Sequence, residues 1–92
     1  MSLKRTAACL GYEQITGLNT VKGLTPPAGA TMALIQAEAQ IVRWRDDGTD
    51  PAAGVGMTLA AAAVPLVYDG NLKTIKFIEA TATAKLNVSY YC

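Results

Sequence analysis

Turn-forming clusters cut this chain before any long element can build. Thr25-Pro26-Pro27-Ala28-Gly29 bars both a helix and a central strand, because proline fixes φ and has no amide proton to donate. Asp46-Asp47-Gly48-Thr49-Asp50-Pro51 is a second break. Its aspartates bond their own backbone, its glycine takes positive φ, and Pro51 drives Asp50 out of the helical region. Ala60–Ala63 has the length of one helical turn, and Pro65 stops anything longer. Asp69-Gly70-Asn71 is a short-range hairpin signal.

The pieces between these breaks alternate. In Met32–Glu38, Ala33, Ile35 and Ala37 oppose Met32, Leu34, Gln36 and Glu38. The alanines also suit a helix, but the segment runs into Ile41–Arg45, where Val42 and Trp44 share one face and Ile41, Arg43 and Arg45 the other. Met57–Leu59 reads as a short strand. Val64, Leu66 and Tyr68 alternate with Pro65 and Val67 as an edge strand, since proline cannot donate to a ladder. Ile75, Phe77 and Glu79 then oppose Leu72, Thr74, Lys76 and Ile78. After the link Ala80–Ala84, Leu86, Val88 and Tyr90 point inward, with Lys85, Asn87, Ser89 and Tyr91 outward. The expected core anchors are therefore Val42, Trp44, Ile75, Phe77, Leu86, Val88 and Tyr90, with Trp44 a large buried anchor. Five or six short strands with turns about every ten residues predict an all-β fold, a small antiparallel β-sandwich or jelly-roll-like barrel.

Residues 1–24 lack a sustained period. Gly11, Gly17 and Gly23 recur among Thr and Asn, which reads as an extended N-terminal arm, part of it able to form strand, ahead of a sandwich domain over residues 25–92. Ninety-two residues make one domain, and a chain of this size buries only about 60–65% of its unfolded surface. Such a thin core gains from a homo-oligomer, dimer or trimer. Eight basic and seven acidic side chains give a net charge of +1, with no clustered basic footprint for nucleic acid. The longest apolar run, Leu59–Val64, is far short of the roughly 18–20 residues of a membrane span. The apolar stretch after Lys4 and Arg5 is too short for a signal peptide.

The chain contains no histidine, which removes the commonest general base and metal ligand. Cys9 and Cys92 have no histidine to activate them and do not make a zinc site. They read as free thiols. Asp46, Asp47 and Asp50 lack the spacing and closing glutamate of a calcium loop, and Gly54-Val55-Gly56 lacks a phosphate-loop frame. Asn87-Val88-Ser89 is a chance sequon. No catalytic residue, metal or cofactor is expected, and an enzyme is not. Arg43, Arg45, Asp46 and Asp47 form a candidate interface patch. The plainer alternative is a charged solvent face whose ion pairs contribute about 0–1 kcal/mol. A carbohydrate- or receptor-binding module would use Trp44 and Tyr91 as an exposed platform.

Several segments together resemble a family of very small β-proteins found among tailed-bacteriophage structural genes. They are Pro27-Ala28-Gly29-Ala30, Ala33-Leu34-Ile35-Gln36-Ala37-Glu38, Val42-Arg43-Trp44-Arg45-Asp46-Asp47-Gly48-Thr49-Asp50-Pro51, Gly56-Met57, Tyr68-Asp69-Gly70-Asn71-Leu72, Ile75-Lys76-Phe77-Ile78 and Ala84-Lys85-Leu86-Asn87-Val88-Ser89-Tyr90-Tyr91. The Arg-Trp-Arg-Asp-Asp-Gly-Thr block is the most distinctive of them. The resemblance implies a β-sandwich virion component assembled in the host cytoplasm. It would be a capsid cement or decoration protein that binds across major capsid protein subunits, or else a tail, baseplate or head-tail connector protein. No catalytic residue comes with it, and residues 1–24 lie outside it.

Overall fold

The computed structural model describes residues 8–92, in which the alternation becomes two four-stranded antiparallel sheets packed as a sandwich. In chain order the strands are β1 (Cys9–Ile15), β2 (Lys22–Gly23), β3 (Met32–Glu38), β4 (Val42–Arg45), β5 (Met57–Leu59), β6 (Leu66–Tyr68), β7 (Lys76–Glu79) and β8 (Lys85–Tyr91). The first sheet runs β1-β8-β3-β6 and the second β2-β7-β4-β5. The chain changes sheet at every connection except β4–β5, so nearly all pairing is between segments distant in sequence.

The alanines of β3 make room rather than helix. Ala33 lies opposite Tyr90, Ile35 opposite Val88 and Ala37 opposite Leu86, so each inward alanine of β3 sits across from a large residue of β8. All six are buried. From the second sheet Val42, Leu59 and Phe77 close the core, with Ile75 beside them. Tyr90 and Phe77 are the largest fully buried side chains.

β3 and β4 do not run on from one another, because they belong to different sheets. At the joint Ala39 takes φ 75° and the Gln40 amide donates to the Glu38 carbonyl at 2.9 Å, which is a γ-turn of the strained positive-φ kind.

Several expectations change. The arm reading does not hold over residues 9–23: β1 pairs with β8 from Cys9 to Ile15, β2 pairs with β7, and Leu18 is fully buried. This adds strands to the expected number and brings the chain's first and last strands together. Residues 1–7 of the expected arm lie outside the described residues. Asp69-Gly70-Asn71 is not a hairpin but the crossing from β6 in one sheet to β7 in the other. A hairpin turn of that type needs positive φ, and Gly70 does not have it. Asn71 instead starts a helical turn: its side chain accepts from the Lys73 amide at 2.9 Å and its carbonyl accepts from the Thr74 and Ile75 amides. Gly70 is favoured by crowding, since a Cβ there would run into the Tyr68 ring and hydroxyl. This turn buries Leu72, which the alternation sets on the face opposite Ile75 and Phe77, while Val64, set on one face with Leu66 and Tyr68, precedes Pro65 and is exposed.

Trp44 is half-buried rather than a core anchor. It sits near the end of a short strand opposite Met57 of β5, and the sheet stops there, so the ring has cover on one side only.

Candidate functional site

The hairpin β4–β5 positions the four charged candidates, and the structure divides them. Arg43 and Arg45 alternate with Val42 and Trp44 and so lie on the outer face of the second sheet. Arg45 forms a two-point pair with Asp47, Nε to Oδ1 at 3.0 Å and Nη2 to Oδ2 at 2.5 Å. This hydrogen bond to the carboxylate raises the guanidinium's pKa above its ordinary value and holds the Asp47 carboxyl below the usual range. The turn itself is as expected: Gly48 takes φ 88° and the Thr49 amide donates to Asp47 at 3.4 Å.

Arg43 reaches across to β5, where its Nη1 donates to the Gly56 carbonyl at 3.0 Å, leaving its Nε buried with no partner among the described residues. Gly56 permits this approach. It has φ 139°, and a Cβ there would lie 3.0 Å from the Trp44 carbonyl oxygen.

Asp46 does not join the patch. It accepts from the Tyr68 hydroxyl at 2.8 Å and so ties the β4–β5 loop to the first sheet. Burial, then this hydrogen bond and the carboxylate's charge, push the Tyr68 hydroxyl up to about 12. With Asp46 and Asp47 each engaged separately, their carboxylates do not converge as calcium ligands. Among the described residues no group of three or more His, Cys, Asp or Glu stands together. Cys9 and Cys92 are exposed free thiols. Trp44 and Tyr91 do not make a common platform: Trp44 packs edge-on against Tyr68 at 6.0 Å, whereas Tyr91 lies on β8 and its hydroxyl accepts from Ser89.

Tyr68 of edge strand β6 packs on β4, the neighbour of edge strand β5, so the two edges share one flank of the sandwich. Exposed apolar side chains sit on or beside these edge strands: Met57 at 60% and Val55 at 54% at β5, Val67 at 62% on the outer side of β6, and Val64 at 87% just before it. A shallow groove of about 400 Å³ runs between Arg45, Asp47, Val55 and Met57. These apolar positions were missed in the sequence because Val55 sits in a small-residue loop and Val64 shares its alternation with Leu66 and buried Tyr68. Only the outward direction of Val67 was readable.

The opposite flank is held from inside. Glu13 of β1 points inward, where it accepts from the Tyr90 hydroxyl and from the Thr25 amide, the latter at 3.0 Å. Burial and the Glu13 bond raise the Tyr90 pKa.

Comparison of the chain with protein-family models, with curated proteins and with solved structures finds no match.

Proposed function

We propose that this protein is a tailed-bacteriophage structural protein, a capsid cement or decoration protein that binds across major capsid protein subunits and stabilises the head. The observation that carries the reading is the apolar β5–β6 flank, with Val55, Met57, Val64 and Val67 exposed on a small sandwich and the Arg45–Asp47 pair at its rim. An open sheet edge with apolar neighbours suits strand addition or lateral packing by another chain. Repetition over a shell then supplies avidity without a tight individual site. The resemblance of the segments between Thr25 and Tyr91 to small virion β-proteins points the same way.

The protein works by contact area in this reading, in a homo-oligomer or directly against capsid subunits. Capsids stripped of it should lose heat and osmotic stability and regain both when purified protein is added back. Unchanged stability on stripping would overturn the reading. A copy number of a handful per virion would place the protein instead at the tail, baseplate or connector. Substituting Val64 and Val67 with lysine should abolish rebinding while the isolated protein keeps its fold.

A further inference from the structure

Cations gather on the outer face of the second sheet, and the one acid on its strands, Glu79 of β7, stands opposite buried Val42 and so lies on the other face. Arg45 on β4 stands directly opposite Lys76 on β7, and Arg43 stands opposite Ile78 on β7 and Thr58 on β5. Lys76 Nζ turns back over β2, where it would lie 3.0 Å from a Cβ at Gly23. Like charges directly opposed across an antiparallel pair are destabilising. Arg45 receives relief only from Asp47, which reaches in from the loop, and among the described residues Arg43 and Lys76 have no ion pair. Arg43 is moreover held in place over Gly56 through its Nη1, its Nε being buried beneath. A cross-strand rule broken on this face, and offset only in part by the loop carboxylate of Asp47, is the mark of a surface shaped for something else.

We propose that this face docks an acidic protein surface, with partner carboxylates seated between Arg45 and Lys76 and beside Arg43. Charge complementarity selects the partner's sign. The surroundings of the cations select protein over polyphosphate: uncharged Ile78 and Thr58 flank Arg43 on either side, and a chain of net charge +1 has no further basic run to follow a phosphate backbone. The inference rests on charge placement alone. It therefore stands apart from the virion reading, which rests on the apolar flank.

The test is a titration of isotope-labelled protein with poly-L-glutamate at low salt, followed by amide chemical shifts. Duplex DNA and phosphatidylserine vesicles are run in parallel. Shifts should gather at Arg43, Arg45, Thr58, Lys76 and Ile78 and fade as salt is added. Lys76→Gln combined with Arg45→Gln should weaken binding by about tenfold or more. Lys76→Gln alone should weaken binding yet leave the melting temperature unchanged or raised, an outcome that a merely structural lysine would not give. Shifts centred on Lys22, Lys73 or Lys85, or no shifts, would overturn the proposal. So would tighter binding of DNA or vesicles through the same residues.

Discussion

The two outer faces of the sandwich follow opposite rules. On the first sheet, Asn87 accepts from the Tyr12 hydroxyl at 2.6 Å and from Gln14 Nε2 at 3.0 Å, and donates to Glu38 Oε1 at 2.9 Å. Ser89 donates to the Tyr91 hydroxyl, and Glu38 stands opposite Lys85. Donors meet acceptors and charges meet their opposites. On the second sheet Arg45 faces Lys76 and Arg43 Nε is left without a partner. Both faces are built on strands of the same kind over the same core, so the contrast is one of side-chain choice, not of fold. The first face is satisfied by its own residues. The second keeps a like-charge opposition that its own strands do not answer.

The core beneath both faces should fail first and fail for both. Phe77→Ala removes one of the largest fully buried side chains and should cost about 3–5 kcal/mol. Denaturant unfolding followed separately by Trp44 fluorescence and by β-sheet circular dichroism should show one coincident, earlier transition. If the two probes separated, the faces would belong to independently stable layers.

Alkaline pH should come next, and it too acts on both layers. One tyrosine–carboxylate bond, Tyr90 with Glu13, lies within the first sheet, and another, Tyr68 with Asp46, ties the first sheet to the β4–β5 loop of the second. The Tyr68 hydroxyl is raised from 10.0 to about 12, so its contribution is complete below pH 10 and is lost as pH rises toward 12. The raised Tyr90 works in the same direction. Stability measured between pH 9 and 12 should fall more steeply for the natural chain than for Tyr68→Phe.

Asn87→Ala sharpens the contrast directly. It leaves Tyr12, Gln14 and Glu38 without their shared partner and should cost about 1–2 kcal/mol. Binding of poly-L-glutamate should not change. A loss of binding in this variant would mean that the faces are coupled.

How far the sequence foretold this molecule follows from what each strand buries. β3, β4 and β8 were readable because Ala33, Ile35 and Ala37, then Val42, then Leu86, Val88 and Tyr90 recur at period two and are buried. β1 hid itself. Its inward positions before Ile15 are Gly11 and Glu13, one without a side chain and the other a carboxylate rescued by Tyr90, and a bulge near Leu10 shifts the register. Asp69-Gly70-Asn71 misled because a dipeptide signal for a tight hairpin does not say which sheet receives the next strand. The candidate site was half legible. Arg43 and Arg45 share a face as their spacing requires, but Lys76 became their neighbour only through β7 pairing, and Asp46 left the group through a hydroxyl supplied by β6.

The joint between the sheets offers the smallest effect. Ala39 must hold φ 75° so that β3 can end in the satisfied sheet and β4 begin in the other. An alanine is strained there and a glycine is not, whereas glycine also gives the unfolded chain more freedom. The first effect works at the observed geometry and the second offsets part of it, so Ala39→Gly should stabilise by about 0.5–1 kcal/mol. Thermal melting monitored by circular dichroism checks the sign. Because Ala39 touches neither outer face, this gain should leave poly-L-glutamate binding unchanged, whereas Lys76→Gln, with a stability gain of similar or smaller size, should weaken it. Equal stability with unequal binding would assign the mismatch on the second face to recognition. Weaker binding in both variants would mean that the face responds to the set of the sheets, and the contrast between the two faces would then belong to the fold after all.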